Sequence, residues 1–260
     1  MNKAKYKLKG LPPIYCINLD GEPHRWEAAE NMFKEWDIEN YTRVSAYDGR
    51  EDDLSDILKG KYPDGMSSSE VGCTTSHLKA MKMFLETDEP CAIMMEDDCD
   101  ISTALHWGFT WKDFYAKMPY DYDVIQLAII NPATVYAQLH RRFINDFSTA
   151  CYLITRHHAQ KLVRLHCRGD KYKIDQDSKP RAVADDLIYN SGNTFAIPLF
   201  LYKLELGSSI HDIHIHVFHK SSYEGIWQFW RCEATNIEDW DKMFDYDPYF
   251  NRVPPGFENK

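Results

Sequence analysis

Three adjacent carboxylates, Glu96-Asp97-Asp98, with a fourth at Asp100, close the apolar run Pro90-Cys91-Ala92-Ile93-Met94-Met95. Clustered oxygen ligands are what a hard divalent cation needs, and such a cation in turn holds phosphates. The short apolar run bounded by proline and charge reads as an interior strand of an α/β sheet, and ligands of such sheets bind outside the carboxyl ends of the strands. The competing reading is a solvated acidic turn. In an extended chain Glu96 and Asp98 point to one face and Asp97 to the other, so all three meet a single ion only if the chain turns.

Other residues could do chemistry alongside them. Asn18, Leu19, Asp20 and Arg25 stand at the first strand-to-helix junction, where nucleotides dock in α/β sheets; for Arg25 a surface salt bridge to Glu22 competes with a phosphate contact. Gly72 falls just inside a helix, where glycine is costly unless a ligand or a neighbouring strand approaches closely. Ser76 and His77 follow on the same helix, with a satisfied core histidine as the alternative for His77. Asp185 and Asp186 open a later helix. Either could serve as a base, or cap the helix and favour its N-terminus electrostatically. In the run Ser208–His219, His214 and His216 share a strand face and could chelate a metal, although sheet histidines are often structural.

The elements that must position these residues alternate between strand and helix. Residues 13–19 read as a strand, Glu22–Trp36 as an amphipathic helix, and 41–46 as a second strand ending at the turn Tyr47-Asp48-Gly49. Ser67 with Glu70 is a capping-box signature that starts a helix running to about Glu86. After the acidic strand come apolar runs at 123–130 and 150–155, a helix over 157–166, and a polar stretch at 169–180 that reads as a flexible loop or lid. A helix over 183–189 and an extended segment over 194–201 follow. From Tyr223 onward the chain is dense in aromatics and reads as a wrap over the main sheet. Trp227, Trp230 and Trp240 read as exposed saccharide platforms, as core packing or as an oligomer interface.

With 260 residues, the chain can bury a full core as one unit. Its net charge of −10 argues against nonspecific nucleic-acid binding, which needs an excess of Lys and Arg. Seven cysteines without a C-x-x-C pair give neither a disulfide framework nor a thiolate zinc site, and point to a reducing compartment. No signal-peptide or membrane-spanning run is present in the sequence. The expected location is the cytoplasm, free or peripheral to a membrane face, or a host cytoplasm if the chain is virus-encoded. Oligomeric state is left open.

Four segments carry a resemblance: Ile17-Asn18-Leu19-Asp20 with Arg25-Trp26, Glu70-Val71-Gly72-Cys73 with Ser76-His77-Leu78, Glu96-Asp97-Asp98, and Thr149 to Ile154 before Ala159. In this order the chain resembles glycosyltransferase family 25, the lipooligosaccharide and collagen-type galactosyltransferases, over roughly residues 12–210. The resemblance implies a single α/β domain of GT-A type over 1–260, with an aromatic-rich extension from about 211. It also implies a UDP-hexose donor, Mn²⁺ or Mg²⁺, and a saccharide or glycoprotein acceptor. Asp98 is then the first choice as metal ligand, with Glu96 or Asp97 next and His211 or His214 completing the shell. Asn18, Leu19, Asp20, Arg25, Asp48, Gly49, Gly72, Ser76, His77 and Asp97 are the donor-binding candidates. An inverting transfer requires a base, for which Asp185 fits the family position better than Asp186. A non-catalytic nucleotide-sugar or glycan-binding module, and a metal-dependent hydrolase built on His211–His219, are the alternatives.

Overall fold

The computed structural model describes residues 2–133, 135–174, 183–206 and 219–246. In chain order the strands and α-helices are β1 (Ile14–Asn18), α1 (Pro23–Glu35), β2 (Tyr41–Ser45), α2 (Ser68–Leu85), β3 (Cys91–Glu96), β4 (Cys99–Asp100), α3 (Trp111–Lys117), β5 (Val124–Ala128), β6 (His140–Arg141), β7 (Cys151–Thr155), α4 (Arg156–His166), β8 (Cys167–Arg168), β9 (Lys171–Tyr172), α5 (Ala184–Tyr189), β10 (Thr194–Tyr202), α6 (Lys220–Gln228) and α7 (Asp241–Phe244).

The main sheet runs β2-β1-β3-β7-β5-β10-β4, with β6 also on β10. β1 is parallel to both β2 and β3, and β5 is parallel to β10, whereas β7 is antiparallel to β3 and to β5. β2, β1, β3, β5 and β10 therefore all point one way and β7 returns between them. From β1 the chain first steps outward to β2 and then crosses to β3 on the other side. The carboxyl ends of β1 and β3 consequently flank a topological switch point, the usual crevice for ligands in an open α/β sheet.

The period-2 pattern of the strands separates two apolar layers. Ile14, Cys16, Ile93 and Met95 face α1 and the aromatics Trp107, Trp111, Phe114 and Trp230. Tyr15, Ile17, Ala92 and Met94 face α2, α4 and α5 through Leu78, Phe84, Leu162 and Ile188. The α/β sheet flanked by helices is thus as expected from the sequence. Pro198 is accommodated in β10 because the pairing with β5 shifts register between Ala196 and Phe200.

Helix α2 begins with the capping box read from the sequence: the Ser67 hydroxyl accepts from the Glu70 amide, and the Glu70 carboxylate accepts from the Ser67 amide. One detail departs from expectation. The first part of the 169–180 stretch is a hairpin, in which β8 pairs with β9 and Gly169 takes φ of +64°; residues 175–182 lie outside the described residues. Trp230 is fully buried, and its indole Nε1 donates to the Pro198 carbonyl at 2.9 Å. Trp227 and Trp240 pack against the same cluster, so these three rings belong to the core side of the alternative rather than to exposed saccharide platforms. No helix among the described residues is long and apolar enough to cross a membrane.

Candidate active site

β3 ends at Glu96, and the chain turns through Asp97 and Asp98 before β4. This turn is what the strand geometry required if adjacent acids were to share one site. Strand alternation still sends their side chains apart. Glu96 continues the α2-facing series Ala92, Met94, while Asp97 continues the α1-facing series Ile93, Met95.

On the α1 side, the Arg25 guanidinium donates to Asp97 Oδ1 from Nε at 2.8 Å, and the Asn18 amide donates to Asp97 Oδ2 at 2.7 Å. Arg25 also lies 3.4 Å from Asp98 and donates to the Leu206 carbonyl. Burial opposes the Arg25 charge, but its hydrogen bond to Asp97 and the charges of Asp98 and Asp97 outweigh this and raise its pKa. A buried ion pair with this many hydrogen bonds fixes geometry, and loss of either partner would strand a charge. Arg25 therefore binds the acidic turn itself; a pairing with Glu22 is not what holds it. Asn18 is positioned in turn by Arg43, which bridges it to Asp20; Asp20 also accepts from Ser45.

On the α2 side, Glu96 Oε1 accepts from the Thr149 hydroxyl at 2.7 Å and lies 3.3 Å from His77 Nε2. Burial alone would raise the Glu96 carboxyl; the hydrogen bond and charge of His77, with Thr149 and Arg25, hold it below the ordinary value. His77 is buried, and its Nδ1 lies 3.0 Å from the Tyr152 hydroxyl. Thr149 reaches the site because antiparallel β7 starts where parallel β3 ends. Its neighbour Ser148 has φ of +96°, a strained conformation for a residue with a Cβ; the Gln126 amide and the Tyr189 hydroxyl hold its carbonyl.

Asp98 differs from its neighbours. Its Oδ1 is buried without a hydrogen-bond partner, and burial together with the Glu96 charge pushes its pKa up to about 7. One oxygen of this half-buried carboxylate is thus unpaired, while the other faces Arg25 at 3.4 Å. Glu96, Asp97, Asp98 and Asp185 outnumber the nearby Arg25 and Arg142, and their oxygens are donors of the type a hard cation takes. His211 and His214, the other metal candidates, lie outside the described residues.

Asp185 is half-buried, and its Oδ1 is likewise shielded from solvent without a hydrogen-bond partner. Burial raises its pKa to about 6 against the opposing charge of Arg142, with Glu96 and Asp186 adding to the rise. Asp186 instead accepts from Asn190 one turn on, at 3.1 Å. The N-cap of α5 is Val183, which makes no side-chain cap.

A cleft opens at the switch point. Of the donor-binding candidates, Asn18, Leu19, Arg25, Asp48, Gly49, Ser76, His77 and Asp97 line it, together with Glu96; Asp20 and Gly72 do not. Gly72 is explained by its neighbours, because a Cβ there would lie 2.6 Å from the Tyr47 carbonyl oxygen. Ser76 accepts from the Tyr47 amide at 2.8 Å, so it pins the same turn. Asp48 is paired with Arg50, which extends to Glu22 at the rim.

Arg43, Arg50 and Arg142 do not stand out in the sequence, because their roles depend on contacts between distant segments; Cys73, Thr149 and Tyr152 stand there only within motifs, without a role.

An α/β sheet with an acid-lined cleft at its switch point defines a protein that handles a polar ligand at the strand ends. The model of glycosyltransferase family 25, described as LPS biosynthesis protein, matches residues 11–177. The chain belongs to that family, and hence to the glycosyltransferases. The match ends before Asp185, short of the span to about 210 that the motifs implied. No curated protein matches the chain.

Proposed function

We propose that the protein is a metal-dependent, inverting hexosyltransferase of GT-A type that moves a hexose, galactose being the first candidate, from a UDP-sugar to a hydroxyl of a saccharide or glycoprotein acceptor. The observation that carries this reading is the buried Oδ1 of Asp98, which has no hydrogen-bond partner, on the turn that directly follows the cleft-lining Glu96 and Asp97, with Arg25 3.4 Å from the other carboxylate oxygen. Asp98 and Glu96 would hold Mn²⁺ or Mg²⁺. Such an ion, bound there, supplies Lewis-acid stabilisation to the charge that gathers on a departing diphosphate.

The chain's own residues do the rest. Arg25, locked by Asp97 and Asn18, keeps the acidic turn in place and fixes one positive charge beside it. The Tyr47–Arg50 turn, held by Ser76 and packed against α2, forms the cleft wall suited to the nucleotide. Asp185, whose pKa of about 6 leaves it ionised at neutral pH yet basic enough to accept a proton, is the base this reading assigns to the acceptor hydroxyl proton. Asp186, tied to Asn190, supports the helix.

Calorimetry of UDP binding tests the site. Mn²⁺ should raise the affinity at least tenfold in the wild type and leave it unchanged in Asp98→Asn. Equal UDP binding with and without metal in the wild type would overturn the assignment. A protein that binds UDP-sugar with metal but never turns it over would be a binding module.

A further inference from the structure

Cys73 stands one helical turn before His77 on α2, and both line the cleft with Glu96. Cys73 Sγ, a His77 ring nitrogen and a Glu96 oxygen all lie within 4.8 Å of one another. We propose that Cys73, His77 and Glu96 form a second metal site, selective for a borderline-soft divalent ion such as Zn²⁺ or Co²⁺, which shares Glu96 with the hard-ion position at Asp98.

Residues four apart on a helix project from one face, which is how a helix presents two ligands to a single ion. Bond lengths of 2.0–2.3 Å around a tetrahedral ion set donor atoms roughly 3.3–3.8 Å apart. His77 Nε2 and Glu96 Oε1 already stand 3.3 Å apart, and closing the other edges requires at most about 1–1.5 Å of movement at the ends of side chains. The mixed sulfur, nitrogen and oxygen set favours Zn²⁺ or Co²⁺ over Mn²⁺ or Mg²⁺, which prefer oxygen alone.

The surroundings are those of a supported ligand set. Tyr152 holds His77 Nδ1, and Thr149 holds Glu96 Oε1. Metal-binding histidines are oriented in this way through their other nitrogen. Without metal, Nε2–H donates to Glu96 and the Tyr152 hydroxyl donates to Nδ1. With metal, Nδ1–H donates to the Tyr152 oxygen, which frees the Nε2 lone pair for the ion. The Cys73 thiol gives its proton to solvent as the metal–sulfur bond forms. Because Glu96 is shared, an ion at this site withdraws a ligand from the hard position, so Zn²⁺ inhibits whatever reaction depends on Mn²⁺. The site itself does not depend on the transferase reading.

Cobalt titration of the full chain reads the site by absorption. One equivalent of Co²⁺ should produce a thiolate charge-transfer band in the near ultraviolet, displaced by Zn²⁺ and not by Mg²⁺. The band should vanish in Cys73→Ser and persist in Cys232→Ser and Asp98→Asn. No such band in the wild type, a band that survives Cys73→Ser, or one lost in Asp98→Asn would overturn the proposal. Alkylation of the wild type, mapped by mass spectrometry, needs no variant. Zn²⁺ should slow modification of Cys73 at least tenfold while the exposed Cys232 reacts at its usual rate. Unprotected Cys73 would again refute the site.

Discussion

Asp185 and Asp98 carry raised pKa values for the same physical reason, burial among other carboxylates, but the two shifts have different consequences. For Asp185, kcat/KM should rise with pH through about 6, the pH at which the free enzyme's base becomes ionised. Asp185→Asn should lower kcat by about 10²–10⁴ while UDP binding is retained; Asp186→Asn should cost far less. For Asp98, a folded pKa of about 7 stands above the ordinary carboxylate value, so the folded state holds its proton more tightly than the unfolded state. Stability from this group is present at low pH and is lost as pH rises through 7. In metal-free buffer Asp98→Asn should therefore exceed the wild type by about 1–3 kcal/mol at pH 8. That advantage should shrink toward pH 5, as read by denaturant unfolding at both pH values. At this scale the acids were legible because charge at the end of an apolar run is visible in a string of letters. The partnership of Arg25 with Asp97, 72 residues apart, was not, because it follows from the register of β1 against β3.

Helix α2 shows how elements turn those residues into a site. Its start was readable from Ser67 and Glu70, and Gly72 marked a close approach without naming the neighbour. The neighbour is the Tyr47–Gly49 turn, which Gly72 and Gly49 allow to sit directly on the helix. Gly72→Ala would gain about 1 kcal/mol of helix propensity. It would also place a methyl group 2.6 Å from a backbone carbonyl, so a net loss of about 1–2 kcal/mol is expected, together with weaker nucleotide binding. Gly49→Ala, where the added Cβ would fall on the Ser68 backbone, should cost more. Urea unfolding and UDP calorimetry of the two variants check the order. Elements with weaker signals were missed. Helix α3 is seven residues long, and its capping pair, Thr110 and Asp113, lacks the longer acid of the usual signature. The β8–β9 hairpin has only two residues on each side, too few to display alternation.

Across the whole molecule, the aromatic C-terminal part completes one face of the sheet. Trp230 packs against Trp107 and Phe109 and anchors to Pro198 of β10, and the Lys203 amide just after that strand donates to the Asp98 carbonyl. Trp230→Ala should destabilise the protein by about 3–5 kcal/mol, as judged by denaturant unfolding. A value under 1 kcal/mol would mean that this segment is not part of the core. Aromatic richness in the sequence could not separate packing from saccharide contact, since both use the same flat apolar faces; the buried Trp230 decides for packing at that position. The central claim is that Asp98 makes this fold a metal-dependent transferase. Release of UDP from a panel of UDP-hexoses, without acceptor and with or without Mn²⁺, tests it in wild type and Asp98→Asn. The account predicts slow hydrolysis of one donor that requires the metal and disappears in the variant. Failure to turn over any donor with metal present, or turnover indifferent both to metal and to Asp98, would contradict it.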